Sequence, residues 1–173
     1  MDDQALVEHL TRLTEGKSKG FRYRRSFWRN SGRIWVRARF HCEYCGIPML
    51  GNVMAFYSYE FDHILPASKY PGNPLVSMPT SALLVSKDLS LDDISNLALS
   101  CKLCNRLKSD FDPNDKIGVY SGDGPLDPET RRALIKSAWE EIHSRRGEHD
   151  EMFRMVTEFF EANRREWLPD AGR

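Results

Sequence analysis

The chain has 173 residues and a mass of 20.0 kDa, a length that suits one domain with an extension. Hydrophobic residues make up 40% and charged residues 29%, so an ordinary globular core can form without disulfide staples. Lys plus Arg and Asp plus Glu stand at 25 each, and no apolar run approaches the ~20 residues of a membrane span; collagen-like, wholly disordered and membrane-spanning classes are excluded.

Residues 2–15 predict a short amphipathic helix, capped by Asp2 or Asp3, with Leu6, Leu10 and Leu13 on one face. GKSKG breaks it. The start MDDQALVEHL is acidic and lacks a signal-peptide core, so a cytoplasmic protein is expected. IWVRARF is read as helix rather than strand. Residues 53–64 predict a strand, being apolar, aromatic and free of Gly and Pro. Residues 65–92 hold Pro66, Pro71, Gly72, Pro74 and Pro79 and predict a long loop, with SALLVS a short element inside it. Asn96 to Leu99 is the expected return strand. CKLCNRLKSD opens a helix that ends by Asp112–Pro113, and residues 114–127 predict a polar loop. The tail is expected to form two helices. The first starts at Pro128 and carries Leu134, Ile135, Ala138, Trp139 and Ile142 on one face. The second follows RGEHD and carries Met152, Met155, Val156, Phe159 and Phe160. These stripes serve core packing or a helical hairpin, or the docking of a partner.

The zero net charge conceals a segregation. No acidic residue lies between Glu15 and Glu43, a stretch holding nine bases: Lys17, Lys19, Arg22, Arg24, Arg25, Arg29, Arg33, Arg37 and Arg39. The rest of the chain therefore carries 16 bases against 25 acids, or −9. Phe21, Tyr23, Phe27, Trp28, Trp35 and Phe40 interleave with the bases. Such a stretch is either a nucleic-acid contact or a solvated basic face over buried aromatics.

The four cysteines form two C-x-x-C pairs, Cys42/Cys45 and Cys101/Cys104. Two knuckles of this kind complete a tetrahedral four-sulfur site, so structural Zn²⁺ is expected. Disulfides, a redox pair and four unrelated buried thiols are the competing readings. The first does not suit a chain without a secretion signal, and the second needs one active pair rather than two matched ones.

Between and after the knuckles stand CEYCG, FDHILPAS, ISNLALS and CKLCNRLKSD. Asp62, His63, Asn96, Asn105 and Lys108 each have an ordinary explanation taken singly. In this order around two knuckles, over residues 33–110, they resemble the HNH endonucleases of the ββα-metal type with zinc knuckles. The resemblance implies an α+β fold: an HNH core with a four-cysteine zinc site, flanked by N- and C-terminal helices. It divides the chain into an N-terminal helix and basic arm (1–40), the core (41–112) and a helical extension (113–173). It implies His63 as general base, Asp62 and Asn105 as ligands of a catalytic Mg²⁺ or Mn²⁺, and Asn96 as brace of the loop that aims His63. Lys108 would contact a flanking phosphate, and Arg24, Arg25 and Arg29 would bind nucleic acid. The long segment from Pro66 to Asn96 and the acidic tail from Asp110, with 15 acids against 10 bases, depart from the pattern.

The expected activity is therefore metal-dependent hydrolysis of DNA, by nicking or double-strand cleavage, in a setting such as restriction, phage defence or a mobile element. RNA is the other substrate class, and a zinc-knuckle binding protein without catalysis is the non-enzyme alternative. A homodimer or a partner protein, if present, would use the C-terminal helices.

Overall fold

The computed structural model describes residues 2–14, 25–51, 56, 58–70, 94–122 and 124–162, with the side chains of residues 14, 25–30 and 160 set aside. The elements in chain order are α1 (Asp3–Thr14), α2 (Arg25–Arg37), β1 (Tyr59–His63), β2 (Leu97–Cys101), α3 (Lys102–Lys108), α4 (Pro113–Ile117) and α5 (Pro128–Ala162). The architecture is mixed α+β: β1 and β2 form one antiparallel sheet, with Tyr59 opposite Cys101 and His63 opposite Leu97.

Helix α1 begins where Asp2 Oδ1 accepts the Ala5 backbone N–H at 2.7 Å. It packs on α2. Val7 is its buried residue, while Leu13 lies 47% exposed, so the inward face is rotated from the Leu6–Leu10–Leu13 stripe. Helix α2 contains IWVR as helix, and it presses Trp35 against the sheet. The Trp35 and Tyr59 ring centroids stand 4.8 Å apart. Strand residues alternate between faces. Tyr59 stacks toward α2, whereas Glu60 and Asp62 are the side chains bonded by α3. The core fills the space between with Trp35, Met49, Ile64, Leu65, Leu97, Leu99 and Leu134, all fully buried.

Two elements differ from expectation. The predicted 114–127 loop contains α4, because Asp112 caps it, Pro113 occupies its first position and Gly118 stops it at φ 60°. The predicted pair of C-terminal helices is one continuous helix of 35 residues. RGEHD holds no proline, a lone Gly147 costs a helix only ~1 kcal/mol, and Arg146 pairs with Asp150 one turn on. Arg145 ties α5 to the domain, donating to the Leu107 and Lys108 carbonyls at 2.7 and 3.2 Å. Beyond it every described side chain is exposed, including Met152, Phe153, Met155, Val156 and Phe159. The predicted strand over 53–64 is observed over Tyr59–His63; residues 52–55 and 57, and SALLVS, lie outside the described residues.

Candidate metal centre and the hairpin beside it

The first knuckle is a tight turn. Gly46 donates to the Cys42 carbonyl at 2.9 Å and sits at φ 73°, where a side chain would be strained. The second knuckle straddles the junction of β2 and α3. Cys101 caps α3, its Sγ accepting the Cys104 N–H at 3.5 Å. Together they bring the four sulfurs within 4.8 Å of one another, with Cys45 and Cys101 at 3.9 Å. A tetrahedron of sulfurs ~2.3 Å from a central ion has edges of about 3.8 Å, so the group can hold a metal ion and suits zinc. It is the metal-capable group of three or more such side chains among the described residues.

The electrostatics fit the same conclusion. Hydrogen bonds from Cys101, Cys104 and Cys45 hold Cys42 far below the ordinary thiol range. Those from Cys101 and Cys104 bring Cys45 down to about 7. Cys104 is pushed up by the sulfurs of Cys101, Cys42 and Cys45 and by burial. Four close thiols cannot all ionise unaided, and a cation at their centre removes that conflict.

Between the first pair of cysteines, Glu43 joins the knuckle to the rest of the domain. Its backbone N–H donates to the Leu99 carbonyl and its Oε2 accepts the Leu99 N–H, both at 2.8 Å. The same carboxylate pairs with Arg131 at 2.8 Å and Arg37 at 3.4 Å. Both arginines also donate to the Leu97 carbonyl. One acidic side chain thus connects the knuckle, β2, α2 and α5.

The sheet and α3 place the remaining sequence-predicted residues. Asn96 is fully buried and clasps the chain just after His63. Its Oδ1 accepts the Leu65 N–H at 2.9 Å and its Nδ2 donates to the Leu65 carbonyl at 3.1 Å, while its own carbonyl accepts the Ile64 N–H at 2.8 Å. His63 ends β1, half-buried, opposite Leu97. Asp62 is buried, and its Oδ2 accepts the Tyr44 hydroxyl at 2.5 Å and pairs with Lys108 Nζ at 3.2 Å. Burial pushes the Asp62 carboxyl up, and Lys108 and Tyr44 offset this only in part. Burial, then the neighbouring Asp62, pushes the Tyr44 phenol up too, so it stays a donor.

Asn105 projects from α3 toward β1, where its Nδ2 meets Glu60 Oε2 at 2.6 Å. Lys108, one turn on, is fully buried, and its ammonium also donates to the His63 carbonyl at 2.8 Å. This enclosure does not suit the expected contact with a flanking phosphate, because Asp62 and the His63 carbonyl already take the charge. Arg24 lies outside the described residues; Arg25 and Arg29 lie on α2, with side chains outside them.

Sequence reasoning missed Glu43, Tyr44 and Glu60. The strand period places Glu60 on the face of Asp62, which is a readable signal. Nothing local in the sequence marks the other two. Comparison of the chain with known families, with curated proteins and with solved structures finds no match.

Proposed function

We propose that the protein is a metal-dependent endonuclease of the HNH type, hydrolysing phosphodiester bonds in DNA around a structural zinc. The observation that carries the reading is the Asn96 clasp. A buried amide spends both ends on Leu65 and so fixes the turn that follows His63, across the sheet from the residue paired with His63. His63 is the general base: a neutral imidazole accepts the proton of the attacking water near pH 7. Asn96 fixes its backbone, and the zinc knuckles set β1 against α3.

The donor chemistry on the face of β1 toward α3 fits a hard divalent cation. Asp62 offers a carboxylate and Asn105 an amide oxygen, the atom that does not meet Glu60. When bound there, Mg²⁺ or Mn²⁺ supplies positive charge to the phosphate oxygens and the leaving 3′ oxygen. Lys108 positions Asp62 and, through the His63 carbonyl, the end of β1. Cleavage of supercoiled plasmid with Mg²⁺ or Mn²⁺ by wild type, abolished by EDTA and by His63→Ala, is the expected outcome. Equal cleavage by His63→Ala would refute the assignment of the base.

One observation favours a second reading, a zinc-knuckle nucleic-acid-binding protein without catalysis. Asp62 already has a lysine and a phenol on one oxygen, which is how a purely structural carboxylate is satisfied. Binding of duplex without cleavage under any divalent cation would establish that reading. Preference for RNA over DNA in the same assay would change the substrate class and leave the chemistry in place.

A further inference from the structure

We propose that the cavity between α1, α2 and the start of α5 is a phosphate-binding pocket that holds a backbone phosphate of bound nucleic acid. The cavity measures about 540 Å³ and is lined by Arg33, Arg37, Arg131 and Arg132. Against these four guanidiniums stand two carboxylates, Asp3 on the lining and Glu43 behind it. The pocket is therefore positive by two charges.

Its arginines divide into a fixed pair and a free pair. Arg37 and Arg131 share Glu43 and the Leu97 carbonyl, and reach the Ile94 and Ser95 carbonyls respectively at 2.9 and 3.0 Å. These bonds account for much of their donor capacity but not all of it. Arg37 Nε is buried and meets no acceptor among the described residues. The pair sets two guanidiniums against the single Glu43 carboxylate, and burial, then the neighbouring Arg131, depresses the Arg37 guanidinium. Among the described residues, Arg33 holds one exposed contact, to Gln4 at 3.3 Å, and Arg132 enters no ion pair. Two fixed guanidiniums behind two free ones form a site that loses little entropy when a phosphate arrives. Pro128, the first residue of α5, also lines the cavity, and the N–H groups at that end are already met by Asp127, whose Oδ1 accepts from Glu129 and Thr130 at 2.9 and 3.0 Å.

The pocket adjoins the sheet at the start of β2. Arg37 and Arg131 bond the carbonyl of Leu97, the residue opposite His63. Assigning the phosphate to nucleic acid rests on the endonuclease reading; the anion site itself does not.

The test uses the full zinc-loaded chain and a fluorescent 20-base-pair duplex, titrated across a range of salt. Arg33→Gln/Arg132→Gln is compared with wild type and with Arg154→Gln, a remote control. Loss of one phosphate contact at ~0.1 M salt weakens binding by about tenfold and lowers the salt slope by about 1, and because both arginines face the same phosphate this is the loss expected of the double variant. Arg154→Gln should leave both unchanged, and all three proteins should melt alike. A double variant with the wild-type affinity and slope overturns the proposal. If wild type binds no duplex, the nucleic-acid reading fails separately, and calorimetric titration with AMP and inorganic phosphate decides the pocket. Binding lost in the double variant supports an anion site for free phosphates; no binding by wild type overturns it.

Discussion

Replacing Lys108 by Met tests the arrangement at the end of β1 most directly. The lysine is fully enclosed, and its ammonium satisfies the Asp62 carboxylate at 3.2 Å and the His63 carbonyl at 2.8 Å. Methionine matches its length without the charge, so packing is kept while Asp62 loses its counter-ion. Removing one partner of a buried pair costs about 3–5 kcal/mol, because the other charge stays behind. In a chain of this size each kcal/mol moves the melting point by about 2–4 °C, giving a drop of about 6–20 °C near neutral pH. The sign with pH follows from Asp62, whose carboxyl is already raised by burial and rises further without the lysine. Its favourable contribution is present below the ordinary carboxylate range and lost as pH rises through the raised value. The deficit of Lys108→Met should therefore shrink in acid and grow toward pH 7. Adding Asp62→Asn should restore a large part of the loss at pH 7. Calorimetric melts of the three proteins across pH 4–8 make the comparison. A single variant within about 0.5 kcal/mol of wild type, with no pH trend, would show that Lys108 and Asp62 are not a buried pair.

Replacing Cys104 by Ser, or extracting the metal with a chelator, should remove bound zinc and unfold the core. Apparent zinc contributions of about 10–16 kcal/mol exceed the whole stability of a typical domain. A variant that keeps full metal content by mass spectrometry and an unchanged melting point would sink the four-cysteine site. Asn96→Ala should cost about 2–4 kcal/mol in urea unfolding, because the Leu65 N–H and carbonyl lose both partners in a buried setting. Ser109→Gly should stabilise by about 0.5–1 kcal/mol, since Ser109 sits at φ 52°, ψ −129°, a conformation that glycine adopts without strain. No gain there would mean that the strain is relieved elsewhere in the turn.

The four-cysteine cluster was legible because its information is local: each C-x-x-C is one turn, and every cysteine in the chain belongs to a pair. Helix starts at Asp2 and Pro128 were legible for the same reason, the one a capping carboxylate and the other a first-turn proline. Glu43 was not. Its partners Leu99 and Arg131 lie far along the chain, and a carboxylate inside a knuckle looks like any solvated acid until the fold closes. The fate of Lys108 was hidden similarly, since helix position alone does not say whether an ammonium meets solvent or a buried carboxylate. The break expected at RGEHD assumed that a glycine among charges ends a helix. Ion pairs one turn apart, at Arg146–Asp150 and Arg154–Glu158, carry the helix through.

That uninterrupted helix has a thermodynamic consequence. About 1.5 Å per residue makes α5 roughly 52 Å long, and beyond Arg145 every described side chain is exposed. A segment with few buried side chains opens locally before the core does, so amide hydrogen exchange is expected to fall from fast at Ala162 to slow by Ile142. Loss of helical circular dichroism on heating then begins before loss of the tertiary contacts around Trp35. The chain holds two cooperative units within a single element of secondary structure, and one melting temperature does not describe both.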